Sequence, residues 1–311
     1  MGSFVVCINA VLPIFLLMAA GYAARCFHLL DRADVEKINR IVFRAFMPVM
    51  VFYNLYSSDL SSAMRGSLLG YAVIGVLAEY LLSLGYALLF VKDHSRRGVV
   101  IQGLYRSNFV IIGLPIAESL VGGDLGPVAM LLAVVIPIFN ILAVITLAVF
   151  NGKKPGLKEV VLDILKNPLI IGSVAGIAAL LAGLRLPAPL EKVVSQMSGA
   201  TSPVLLFLLG AFFQFKGMRS HMWELAAVCA GRLVVFPALF LGLAVAIGFH
   251  GVELVSLTGV FASSTAIASF TMAQQMDGDA ELAGDIVVWT SALCSFTLFG
   301  WSLLFKLMGL V

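Results

Sequence analysis

Charge is what this chain has least of. Asp, Glu, Lys and Arg make up 12% of its 311 residues, about half the share of a soluble globular domain. With 61% of the residues hydrophobic and a mean hydropathy of +1.04, a water-soluble domain is excluded and an integral membrane protein is indicated. Cysteine is sparse too. Cys7, Cys26, Cys229 and Cys294 stand singly, with no C-x-x-C spacing, so neither a disulfide framework nor a metal site is suggested. His28, His94, His221 and His250 fall in or beside loops without ligand spacing, and no cofactor is expected. Nothing in the charge pattern supports nucleic-acid binding. No positive segment precedes the apolar run Phe4–Ala24, which is therefore read as a retained span and not as a cleaved signal peptide.

What the chain does have is long apolar runs. A spanning helix needs about 20 mainly apolar residues, and ten candidates emerge: residues 4–24, 38–56, 67–91, 99–121, 127–150, 168–184, 193–215, 225–249, 254–276 and 286–305. The connections on one side of the membrane carry 13 Lys and Arg, those on the other carry 4. The excess marks the cytoplasmic side, so both termini are expected outside the cytoplasm of a multi-pass cell-membrane protein. All connections are short, and function is expected inside the bilayer.

Sliding the sequence against itself by 155 residues superposes Pro13 on Pro168, Gly21 on Gly176, Glu36-Lys37 on Glu191-Lys192, Pro48 on Pro203, Phe52 on Phe207 and Gly123-Asp124 on Gly278-Asp279. This predicts an all-α fold of ten transmembrane helices in two five-helix repeats, residues 1–150 and 160–311, joined by a cytoplasmic linker at 151–159. An odd number of spans per repeat inverts the second half. Inverted repeats are the usual build of secondary transporters, whose sites lie near the midplane on interrupted helices. Two spans are interrupted. Span four carries Asn108-Phe-Val-Ile-Ile-Gly-Leu-Pro115 at its centre. Proline removes a backbone donor, and a freed backbone group survives in a bilayer only when buried in protein or facing a wet cavity. Span nine carries Ala262-Ser-Ser-Thr-Ala-Ile-Ala-Ser269, small and hydroxyl residues that compete for backbone hydrogen bonds.

The pattern N-F-x-x-x-G-L-P at Asn108–Pro115, Pro137-Ile-Phe-Asn140, and S-T-A-I-A-S-F-x-x-A at Ser264–Ala273 followed by G-D resembles the auxin efflux carrier family. That family includes plant PIN-FORMED proteins and bacterial malonate-type carriers, and the resemblance covers essentially the whole chain. It implies ten spans, crossed broken helices four and nine, a scaffold of spans 1, 2, 6 and 7 that forms a homodimer, a mobile transport unit working as an elevator, and an organic carboxylate anion as substrate. One position departs from it. The family usually has proline at the span-nine break, where this chain has Ser264 before Thr265, so the break here is expected to be either less sharp or made by hydroxyl residues alone.

Candidate site residues follow. Asn108 offers an amide to a carboxylate, and Gly113 and Pro115 expose backbone N–H groups to it. Asn140 lies mid-span in an uncharged segment, and the resemblance places substrate contacts on that span. Ser263, Ser264 and Thr265 would present further backbone donors, so neutral dipoles are expected to do most of the binding. Arg106 is read either as a guide for the anion or as an interfacial side chain. Glu79, alone in span three, pairs with Arg232 in span eight; an intramembrane carboxylate is costly and functional by default, leaving two readings, a structural pair or a proton-coupling acid. Glu118, Arg40 and Arg44 read as interfacial, and Asn39, placed in the first cytoplasmic connection, is expected to be inert. No nucleophile–base or paired-acid set points to an enzyme. The alternative to a transporter is a membrane receptor that binds the same ligand without moving it.

Overall fold

The computed structural model describes residues 2–57, 66–109, 126–150, 157–213 and 218–311. Gly113, Pro115, Glu118 and Asp124 lie outside them. Among the described residues every regular element is helical, as hydrocarbon requires when each backbone group must be satisfied within its own segment. In chain order these are α1 (Gly2–Cys26), α2 (Arg32–Ile41), α3 (Met47–Tyr56), α4 (Gly66–Phe90), α5 (His94–Tyr105), α6 (Gly126–Val149), α7 (Leu157–Lys166), α8 (Pro168–Leu181), α9 (Ala188–Phe212), α10 (Met222–Ala230), α11 (Phe236–Ile247), α12 (Gly251–Ala262), α13 (Ala268–Gln275) and α14 (Ala280–Leu307). Among the described residues five stretches are long and apolar enough to cross a membrane: α4, residues 130–149 of α6, α9, the run 222–247 and α14.

Short polar signals start the helices. Asp31 and Asp34 form a capping box at α2, Asn167 caps α8 with Pro168 in its first turn, and Asp279 accepts from the Leu282 N–H at α14. The capping box corrects the second span. The apolar run predicts a start at residue 38, but the helix begins at Arg32 and continues through a π-helical turn, Val42–Phe46, into α3. Asn39 therefore lies within a helix and is fully buried, not in a connection.

Two helix pairs pack backbone against backbone. A Cβ on Gly21 of α1 would sit 1.9 Å from the Phe207 carbonyl oxygen of α9, and one on Gly210 equally close to that of Met18. On the second pair, α3 with α8, a Cβ on Gly172 would meet the Pro48 carbonyl at 2.5 Å and one on Gly176 that of Phe52 at 2.9 Å. Lipid gives no hydrophobic drive for helices to associate, so such close van der Waals approach is what holds them. The shift that carries Gly21 onto Gly176 also exchanges Phe52 and Phe207, so the Gly21–Phe207 contact recurs as Gly176–Phe52 with the halves swapped. Of the remaining helices, α4 to α6 and α10 to α14 gather around two broken elements.

Candidate functional site

Both breaks meet at one point. Helix α5 stops at Tyr105, and Arg106 turns extended (φ −85°, ψ 108°). Helix α12 stops at Ala262, Ser263 is extended (φ −74°, ψ 163°), and the helix resumes as α13 at Ala268. Ser107 and Thr265 pair as an isolated antiparallel bridge. Around it the Asn108 N–H donates to the Ser264 carbonyl at 2.8 Å and the Ala266 N–H to the Arg106 carbonyl at 3.0 Å, a pattern that repeats when the strands are exchanged. The uniform shift read from sequence slips here: 155 residues would carry His94–Tyr105 onto Phe249–Val260, two residues short of the observed Gly251–Ala262.

Hydroxyls hold the break that lacks proline. The Thr265 Oγ1 donates to the Gly103 carbonyl at 2.7 Å, the Ser107 Oγ to the Gly259 carbonyl at 3.1 Å, and the Ser107 and Ser263 hydroxyls lie 2.5 Å apart. They take helix-end carbonyls that have no intrahelical donor. Arg232 takes the rest. A π-helical turn, Gly231–Val235, carries this fully buried side chain. Its Nε donates to the Ser263 carbonyl (2.8 Å), its Nη2 to that of Val260 (2.8 Å), and its Nη1 to those of Leu104 (3.3 Å) and Tyr105 (3.2 Å) and to the Glu79 Oε1 (2.8 Å). One guanidinium thus caps the negative C-terminal ends of α5 and α12 together, with the Glu79 carboxylate as its counter-ion.

Beside the crossing lies a small cavity of about 90 Å³. Its walls come from α3 (Met47, Met50, Val51, Asn54), α6 (Ile136, Phe139, Asn140), α9 (Ser202, Leu205), the first break (residues 106–109) and the second (residues 266–268). Arg106 is 4% exposed. Its guanidinium donates to the Asn140 Oδ1 (2.7 Å), the Gln102 Oε1 (3.0 Å) and the Met272 sulfur (2.8 Å), all neutral acceptors. A guanidinium cannot shed its proton in a protein, so the wall carries a positive charge that no carboxylate among these partners offsets. Asn140, fixed through its oxygen, leaves its Nδ2 without a partner among the described residues, as does Asn108. The Ser269 and Phe270 N–H groups are taken by the Ala266 and Ile267 carbonyls. Those of Ile267 and Ala268, both in the wall, come before any intrahelical acceptor, at the positive end of α13. A cation, two amide donors and a helix N-terminus facing one cavity suit an anion.

The structure therefore redistributes the expected site. Asn108 and Asn140 line the cavity. Ser263, Ser264 and Thr265 are fully buried but do not line it; they build the crossing, and Ala266 to Ala268 stand in the wall instead. Arg106 is part of the wall. Glu79 and Arg232 meet as expected. Sequence reasoning missed Gln102 and Met272, which hold Arg106, although Gln102 one turn before Arg106 in an apolar helix was a legible signal. It also missed a buried His221–Asp285 pair, Nε2 to Oδ2 at 2.6 Å, because the histidine reads as a loop residue.

A family described as membrane transport protein matches the chain over residues 6–161 and 155–302. An uncharacterized transporter of Methanocaldococcus jannaschii is 24% identical over 95% of this chain and 98% of its own length. An uncharacterized transporter of Methanothermobacter thermautotrophicus is 24% identical over 94% and 97% respectively. A candidate malonate transporter of Rhizobium meliloti is 24% identical over 43% of this chain and 42% of its own.

Proposed function

The chain belongs to the membrane transport protein family, that of the auxin efflux carriers, and on that premise we propose that it is a secondary transporter for a small organic carboxylate anion. As a multi-pass membrane protein with a small-molecule substrate, it needs a site inside the bilayer that compensates the substrate's charge. The observation that carries the reading is Arg106: a buried guanidinium in the cavity wall, hydrogen-bonded only to neutral acceptors among the described residues, beside the Asn108 and Asn140 amides, whose buried Nδ2 atoms have no partner among the described residues. A lone buried cation is costly, and the cost is offset when a carboxylate binds. Malonate, named for one relative, is the first ligand to test.

The proposed architecture is two inverted five-helix repeats, residues 1–150 and 160–311 about a cytoplasmic linker at 151–159, with both termini outside the cytoplasm of the cell membrane. The exchange of the Gly21–Phe207 and Gly176–Phe52 contacts supports the repeat. In this proposal α1, α2, α3, α8 and α9 form a scaffold that also dimerises, and the crossing moves against it as an elevator carrying the anion. Backbone N–H groups around Gly113 and Pro115 would complete the anion's donors. Glu79 and Arg232 are assigned the structural role. A proton-coupling acid would have to part from its guanidinium, and here four backbone carbonyls fix that guanidinium in place.

Uptake of labelled malonate by proteoliposomes, with thermal stabilisation of the purified protein over a carboxylate panel, tests this. A ligand at one hundred times its dissociation constant raises stability by about 2.7 kcal/mol. Saturable uptake that Arg106→Gln abolishes supports the transporter. Stabilisation without flux identifies a receptor, and no response to any carboxylate overturns the anion site.

A further inference from the structure

A polar contact joins the two units on the side of the membrane where the basic connections lie, and neither the family nor the proposed site accounts for it. Asn39 of α2 is fully buried, as is Thr271 of α13. The Thr271 hydroxyl donates to the Asn39 Oδ1 at 2.8 Å, and the Asn39 Nδ2 donates to the Gln274 Oε1. The contact sits along a defined path. Ala266 to Ala268 form the cavity wall, and Thr271 and Gln274 follow along the same short helix toward the turn before α14. Flanking contacts extend the seam: the Arg32 Nη2 lies 3.6 Å from the Glu281 Oε1, the Arg32 guanidinium lies over the Phe212 ring at 5.2 Å, and the Phe212 and Phe270 rings are 5.0 Å apart.

We propose that Asn39, Thr271 and Gln274 form a latch that seals the cytoplasmic side of the cavity and breaks each time the site opens to the cytoplasm. The inference rests on the transport reading above for its purpose, and on the geometry alone for its existence. The chemistry of the contact suits a latch. Neutral hydrogen bonds contribute little net free energy when water can replace the partner, so parting α2 from α13 lets the amides and hydroxyl hydrate at small cost. The Arg232 clamp has the opposite character, since opening it would strand a buried ion pair. The two polar clusters therefore divide the work: one keeps the crossing intact in every state, the other releases.

The test is accessibility from each side. A single cysteine replaces Ser202 of the cavity wall in a protein freed of its own four cysteines, and a membrane-impermeant maleimide is added to inside-out or right-side-out vesicles. Thr271→Val, nearly isosteric, should speed labelling from the cytoplasmic side by about fivefold, and Asn39→Ala by more, because each lost bond favours the open state by roughly that factor. Unchanged labelling in variants that elute and unfold like the parent overturns the latch. A rise confined to the opposite face, or equal on both, overturns it as well. Should Asn39→Ala misfold, Thr271→Val and Gln274→Leu carry the same test. The assay uses no substrate, so a failed latch and a failed carboxylate site give separate results.

Discussion

Arg232→Gln is the perturbation on which the crossing can be judged. In the native protein one side chain satisfies four backbone carbonyls, at Leu104, Tyr105, Val260 and Ser263, and neutralises Glu79. Glutamine reaches fewer of them and carries no charge. The stranded Glu79 carboxylate alone costs about 3–5 kcal/mol, and each orphaned carbonyl adds about 1–3 kcal/mol. The sum exceeds about 5 kcal/mol and takes up most or all of the stability of an ordinary fold, so little folded protein should be recovered. Glu79→Gln should be milder, about 3 kcal/mol, because Arg232 keeps its four carbonyls and gains an amide oxygen. The double variant Glu79→Gln, Arg232→Gln should be more stable than Arg232→Gln alone by about 3 kcal/mol, the lower end of the cost of the stranded carboxylate, which is then gone; residues in direct contact are not additive. Thermal unfolding in detergent, with elution profile as the check on folding, reads all three. Wild-type stability in Arg232→Gln, or a Glu79→Gln protein less stable than Arg232→Gln, would refute the clamp.

Three further outcomes are expected. Asn108→Ala should weaken carboxylate binding by about 1.5–3 kcal/mol, the scale of a hydrogen bond to a charged group, with folding retained; calorimetric affinity equal to the parent's would remove Asn108 from the site. Gly210→Ala should destabilise by about 3 kcal/mol, the upper end of overpacking, because its Cβ would meet the Met18 carbonyl oxygen at 1.9 Å, whereas Gly242→Ala, with open space around it, should be neutral or slightly stabilising in the same melt. At the start of α5, the Ser95 hydroxyl is the main group holding the Asp93 carboxyl below the usual carboxylate range. A lowered carboxylate stabilises above its unfolded value and loses that contribution as pH falls through the folded one, so Asp93→Asn should lower the melting temperature at pH 7 and leave it unchanged in strong acid.

The cavity and the crossing are linked through a few residues. Arg106 contributes its carbonyl to the Ala266 N–H and its guanidinium to the cavity, so the same residue ties the two breaks and lines the cavity. Any change that shifts Ser107 against Thr265 also moves the charge. This is why Ser263, Ser264 and Thr265, although they never reach the cavity, belong to the functional unit: their hydroxyls and carbonyls set where Arg106 and Ala266 to Ala268 stand.

The sequence by itself determined the membrane class, the number and approximate limits of the apolar runs, and the two places where a helix would be interrupted. Hydrocarbon makes these properties local: apolar length, missing charge and hydroxyl-rich stretches act within one segment. It also paired Glu79 with Arg232, since a lone charge in each of two spans has few other ways to be compensated. Tertiary structure alone decided which residues face the cavity. Residues 263–265 and 266–268 are immediate neighbours, and only the antiparallel pairing at Ser107 and Thr265 turns the second trio toward the cavity. Arg106 reads the same in sequence as an interfacial or a buried side chain; its place is fixed by Asn140, Gln102 and Met272, which arrive from three different helices. Asn39 was hidden because charged neighbours end an apolar run while a capping box extends the helix past them, and its partners lie more than two hundred residues away.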